Sequence, residues 1–168
     1  MNKSLGILLA EDDENDVLLL KRAFEAAEIQ NPLFIARDGE EAINYLAGVG
    51  HFSNRTEYPL PSLALLDLKM PKRSGMEVLQ WLRAQPVLNC LPVVIFSSSQ
   101  HRHDIERAYR LGANAFVVKP VSNESRAQLS RYIKGFWLQF NEPPMLSTEG
   151  LEAARKLHSQ EHVSRVFL

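Results

Sequence analysis

The sequence holds a single cysteine, Cys90, in 168 residues. One thiol excludes an internal disulfide and any multi-cysteine metal site, and it fits a reducing compartment. Neither sign of charge is in excess: 19 Lys and Arg stand against 20 Asp and Glu, a formal net charge of −1. Without a surplus of cations to displace counterions, the simplest argument for nucleic-acid binding falls away. No apolar run is long enough to cross a bilayer. Lys3 followed by Leu5–Ala10 has the look of a signal-peptide start, but the run is short. Glu11-Asp12-Asp13 ends it without a small-residue cleavage segment. Repeats and low-complexity tracts are also missing. These absences read as a cytoplasmic protein that partners neither nucleic acid nor membrane. In that compartment the acceptor match Asn54-Arg55-Thr56 carries no meaning.

What is present is ordinary globular material, 45% apolar and 23% charged. A chain of this size buries about 70% of its unfolded surface and needs no staple. Five short apolar runs read as buried strands: Leu5–Ala10, Leu33–Ala36, Leu63–Asp67, Pro92–Ser97 and Ala115–Val118. Segments of helical period alternate with them. Val17, Leu20, Phe24 and Ala27 share one face after Glu14. Asp38 caps a helix running to about Leu46, and Ser74-Gly75 opens another with Val78, Leu79 and Leu82 inward. Asp104–Leu111 is a helix with Gly112 at its C′ position. Ser122 or Asn123 caps a last one carrying Leu129, Ile133, Phe136, Trp137 and Phe140. This alternation predicts a parallel sheet covered on both faces and doubly wound by right-handed crossovers. Gly48–Pro61 reads as a long turn-rich stretch. Asn141-Glu142-Pro143-Pro144 halts the last helix. That leaves a domain over 1–140 and a short extension over 141–168, with helical character from Glu149 to His158.

In such a sheet, ligands sit at the carboxyl ends of the strands. The first strand ends in Glu11-Asp12-Asp13, the third in Asp67, the fourth in Ser97-Ser98-Ser99 and the fifth in Lys119-Pro120. Carboxylates gathered in one cleft repel each other unless a cation joins them, and hard oxygen ligands with open water positions suit Mg²⁺. Ser97 and Lys119 supply a hydroxyl and a positive charge, the parts that hold a phosphoryl group. Either neighbouring serine could stand in for Ser97. Asp67, at the end of the most apolar strand, is the candidate nucleophile.

These motifs resemble the receiver domain of two-component response regulators. The resemblance rests on Ile7–Asp13, on Leu65-Leu66-Asp67-Leu68-Lys69-Met70-Pro71 with Gly75, on Phe96–Ser99, and on Gly112–Pro120, in register across about residues 4–140. The stretch before the third strand and Phe136-Trp137-Leu138 look like the small regulators that partner phytochrome-type histidine kinases. The resemblance implies a flavodoxin-like sheet of strand order 2-1-3-4-5. It implies that Asp67 accepts a phosphoryl group from a sensor histidine kinase. Asp12, Asp67, the backbone carbonyl of Lys69 and, through water, Glu11 would bind Mg²⁺. Ser97 and Lys119 would hold phosphoryl oxygens, and Phe116 would be the switch aromatic that follows Ser97. A cis Lys119-Pro120 bond is expected, and the face around Phe116 and the last helix would serve partner binding, including a homodimer. Ser97 replaces a commoner Thr and Phe116 a common Tyr. The first keeps the hydroxyl and the second leaves the switch ring without one, and neither puts phosphorylation in doubt.

Other readings are weaker. An aspartyl-phosphate hydrolase needs a second Asp where Lys69 stands. No phosphate loop of the form GxxxxGK[ST] is present. A flavin carrier wants a hydroxyl- and glycine-rich loop where Glu11-Asp12-Asp13 stands. A helix-turn-helix module does not fit in the extension. A receiver-fold scaffold that is never phosphorylated is the main alternative, and the complete set of acid, hydroxyl and lysine argues against it. His158 and His162 are i, i+4 but lack a third ligand. His101 and His103 read as exposed, and Cys90 as inert.

Overall fold

The computed structural model describes residues 6–146. Strands and helices alternate as β1 (Ile7–Ala10), α1 (Glu14–Ala26), β2 (Leu33–Ala36), α2 (Gly39–Ala47), β3 (Leu63–Leu66), α3 (Gly75–Ala84), β4 (Val93–Ser97), α4 (Arg102–Arg110), β5 (Ala115–Val118) and α5 (Asn123–Tyr132). All strand pairs are parallel, in the order β2-β1-β3-β4-β5. This is the doubly wound, flavodoxin-like sheet expected. The helix anticipated over 149–158 and the His158–His162 pair lie outside the described residues.

The apolar runs are continuous because the sheet is covered on both sides. Alternate residues serve opposite faces. Leu8, Ala64, Leu66 and Ile95 pack under α2, α3 and α4, while Ile7, Leu9, Leu65 and Phe96 pack under α1 and α5. Truncating one of these, Leu65→Ala for example, would cost roughly 2–5 kcal/mol in transfer and cavity terms.

Three expectations need correction. The last helix does not keep a 3.6-residue period: beyond Tyr132 it winds as a π-helix over Ile133–Phe140. The wider turn moves Leu138 onto the core with Trp137 and leaves Phe136 and Phe140 exposed. Among the described residues no peptide bond is cis, so Lys119-Pro120 is trans. Trans is the cheaper isomer by about 0.5–1 kcal/mol. The Arg126 guanidinium donates to the Pro120 carbonyl at 2.9 Å, tying α5 to this turn. Finally, α4 starts at Arg102, capped by His101 without a side-chain bond.

The Gly48–Pro61 stretch is stitched to the fold rather than hung from it. Gly48 ends α2 in the left-handed conformation. Phe52 is buried and meets Tyr45 and Tyr58 edge-on, and the Tyr45 hydroxyl donates to the Pro59 carbonyl at 2.7 Å. The Arg55 guanidinium donates to the Tyr45, Leu46 and Tyr58 carbonyls, closing the C-terminal end of α2. Arg83 does similar work at the amino ends of β4 and β5. It donates to the carbonyls of Asn89, Leu91 and Gly112 and to Asn114 Oδ1.

Two glycines clamp the loop after β3. A Cβ on Gly75 would lie 2.1 Å from the Asp67 carbonyl oxygen, and one on Gly39 would lie 2.0 Å from that of Arg73. The loop lies tight against both helix starts, and this holds the Asp67 backbone against α3.

Candidate functional site

The ladder runs one residue past the strands and so sets the site in place. The N–H of Glu11 donates to Ala36 O at 2.9 Å, that of Asp67 to Ala10 O at 3.0 Å, and that of Lys119 to Ser97 O at 2.9 Å. Glu11, Asp67, Ser97 and Lys119 are thereby brought together at the carboxyl edge of the sheet. Glu11, Asp67 and Ser97 are buried and Asp12 is exposed.

Lys119 is the centre of the charge pattern. Its Nζ lies 2.6 Å from Glu11 Oε2, 2.8 Å from Asp16 Oδ2 and 3.0 Å from Asp67 Oδ2, and 5.9 Å from the centre of the Phe96 ring. Burial alone would push this amine down, but the three carboxylates outweigh it and hold its pKa above the ordinary lysine range. Burial pushes the Glu11 carboxyl up, and Lys119 only partly offsets that. Glu11 Oε2 pairs with Lys119 as an ion. Yet it has no hydrogen-bond partner of good geometry among the described residues.

A buried carboxylate oxygen without an aligned donor is costly, and a cation is one way to satisfy it. Glu11, Asp12 and Asp67 each offer an oxygen, and these lie within 4.8 Å of one another. An all-oxygen set of this charge fits Mg²⁺ or Mn²⁺. Lys69 is exposed, and its N–H donates to Asp67 Oδ1 at 3.4 Å, which seats its peptide beside the same carboxylate.

Of the three serines, Ser98 is exposed, and Ser99 Oγ is committed to Asp104 Oδ2 at 2.6 Å. Among the described residues, Ser97 Oγ accepts only a long bond from the Ser99 N–H, 3.3 Å. Its own O–H is uncommitted among the described hydrogen bonds. Phe116 is half-buried against the core under α4, and its N–H donates to the Tyr109 hydroxyl at 3.2 Å.

The family model of the response regulator receiver domain matches residues 7–131. The chain belongs to the response regulator receiver family. Response regulator Rcp1 of Synechocystis sp. is 34% identical over 133 residues, 79% of this chain and 88% of that one. The crystal structure of Mn²⁺-bound Rcp1 superposes on this receiver with a TM-score of 0.76 at 33% identity, covering 83% and 99% of the two chains. Bacteriophytochrome response regulator RtBRR is 40% identical with a TM-score of 0.65, covering 94% and 95%. The likeness to small regulators of phytochrome systems, read from the sequence, therefore holds.

Asp16 was missed as part of the site. In the sequence it is one more acid in the first turn of a helix. Only the fold carries Lys119, 103 residues away, to its carboxylate. The Ser99–Asp104 bond, which orders the entry to α4, was not foreseen either.

Proposed function

We propose that the chain is a phosphorylation-driven switch acting in the cytoplasm, with Asp67 as its phosphoacceptor and a sensor histidine kinase of phytochrome type as its donor. The observation that carries this is the buried Asp67 carboxylate held 3.0 Å from Lys119 beside an oxygen-only acidic cluster. An Asp67 oxygen attacks phosphorus, and the P–N bond of the donor phosphohistidine breaks. Its electron pair returns to the imidazole, which regains neutrality with a proton from water. Glu11, Asp12, Asp67 and the Lys69 carbonyl would hold Mg²⁺, which supplies charge neutralisation for the transferring group. Lys119 pairs with one phosphoryl oxygen and the Ser97 hydroxyl donates to another.

Drawing Ser97 toward the phosphoryl group gives up only its long bond from Ser99 N–H. Phe116 then turns into the space left. Because its N–H is tied to Tyr109 on α4, the change is felt on the partner-binding face of α4, β5 and α5. A second copy is one candidate for that face. As in other phosphoacceptor domains, the chain would aid its own Mg²⁺-dependent phosphorylation and dephosphorylation.

Intact mass after incubation with acetyl phosphate and Mg²⁺ tests the reading. One phosphoryl adduct, lost with EDTA and with Asp67→Asn, is expected. No adduct under any condition would overturn it and favour an unphosphorylated receiver-fold scaffold.

A further inference from the structure

We infer that Asp16 is a positioning residue for Lys119, the anchor that holds the ammonium in place while its other two carboxylate partners are taken over. The inference rests on the phosphoacceptor reading. Asp13 caps α1, accepting from the N–H groups of Asn15 and Asp16 at 2.7 and 3.2 Å. Asp16 is thus the third helical residue, where an acid normally reaches back to the N–H of the cap. Glu77 does this in α3, closing a reciprocal pair with Ser74. In α1 the same N–H, that of Asp13, already donates to Glu11 Oε1 at 3.2 Å. The Asp16 carboxylate is instead turned to Lys119 Nζ at 2.8 Å.

The ammonium has three protons and, among the described residues, three carboxylate neighbours. Glu11 belongs to the cluster that holds a divalent cation, and Asp67 is the oxygen that becomes esterified. Asp16 lies outside the Glu11–Asp12–Asp67 cluster. It is the one neighbour claimed by neither the metal nor the phosphoryl group. Lys119 sits on a flexible four-carbon stem. Once its two deeper partners are engaged elsewhere, Asp16 keeps it aimed at the phosphoryl oxygen. The side chain of Asp16 is 36% exposed, so this anchor sits at the mouth of the site.

The test uses beryllofluoride with Mg²⁺ as a phosphoryl mimic, together with the half-life of the acetyl-phosphate adduct. Asp16→Ala is expected to weaken beryllofluoride binding about tenfold, the lower end for losing a charge-assisted bond. It should shorten the adduct half-life while leaving Mg²⁺ binding alone close to that of the parent chain. Asp16→Asn keeps the shape and an acceptor oxygen and should recover a large part of the loss. Glu14→Ala removes the same charge from an exposed neighbour that does not touch Lys119, and should change neither readout. Parent-like beryllofluoride affinity and adduct half-life in a folded Asp16→Ala chain would overturn the inference. So would an equal loss in Glu14→Ala, which would reveal general electrostatics rather than anchoring. A parent chain that takes no phosphoryl group and binds no beryllofluoride would overturn the phosphoacceptor reading itself, and this inference with it.

Discussion

Lys119 and Arg83 sit at opposite ends of the same sheet, and both are partly withdrawn from water. Lys119, at the carboxyl edge, is surrounded by charged partners: Glu11, Asp16 and Asp67. Among the described residues, Arg83, at the amino edge, is held only by neutral acceptors: three backbone carbonyls and the Asn114 amide oxygen. Their proton affinities move in opposite directions. Carboxylates hold Lys119 above the lysine range, while burial lowers Arg83, with no carboxylate to offset it. A cation bonded to fixed carbonyls serves as a staple, since its acceptors have no other use. A cation bonded to carboxylates has partners that a metal or a phosphoryl group can take. The first arrangement supports the fold, and the second holds an unrelieved excess of negative charge ready for a ligand.

The two cations should differ most in EDTA. Lys119→Met leaves buried Glu11 and Asp67 without a counter-charge and should cost about 3–5 kcal/mol. Saturating Mg²⁺ should restore much of this, because the ion replaces the lost charge. Chemical denaturation with and without Mg²⁺ measures both values, and a loss that Mg²⁺ leaves untouched would place Lys119 with the staples. Arg83→Ala should cost about 2–4 kcal/mol, lowering Tm by roughly 5–15 °C, and Mg²⁺ should not restore it. The folded fraction should still accept a phosphoryl group at the parent rate. Arg83→Lys should recover only part, since one ammonium does not span four acceptors.

Neutralising Asp67 probes the carboxyl edge from the other side. Asp67→Asn should raise stability in EDTA by about 1 kcal/mol through relieved repulsion, and lower the affinity for Mg²⁺. The smallest effect belongs to a surface pair, Lys72 with Asp38 at 2.7 Å. Burial pulls the Asp38 carboxyl up, but Lys72 and the Glu41 N–H outweigh it and hold its pKa below the usual value of 3.8. A carboxyl depressed in the folded state adds stability above its unfolded pKa, and that stability is lost as pH falls through its folded value. Lys72→Met should therefore flatten Tm against pH below about 4 and change little at neutrality.

Much of this was legible in the sequence because strand ends are local. Four apolar runs each finish on a polar residue at the same sheet edge, so the gathering of Glu11, Asp67, Ser97 and Lys119 could be read without knowing the packing. The strand order followed from the resemblance that those motifs carry. What was not legible depends on contacts distant in sequence. Arg83 reads as a helix-surface arginine until Gly112 and Asn114 arrive beside it. Asp16 reads as a first-turn acid until Glu11 takes the N–H it would have bonded. The π-helical winding after Tyr132 changes which aromatics face inward, and a count by threes and fours assigns Phe136 and Phe140 to the wrong side. The isomer at Pro120 is a choice between near-equal states, and sequence offers little to decide it.

The close approach of Gly75 to the Asp67 carbonyl has a consequence for how this sequence can drift. A saturation library selected for folding should leave positions 75 and 39 nearly empty of anything but glycine, because the first added carbon meets fixed backbone in both. Gly135, whose added carbon meets nothing within 4 Å, should fill with most residue types. The tolerance map would then mark Asp67 indirectly, through a glycine eight residues downstream whose only constraint is backbone space.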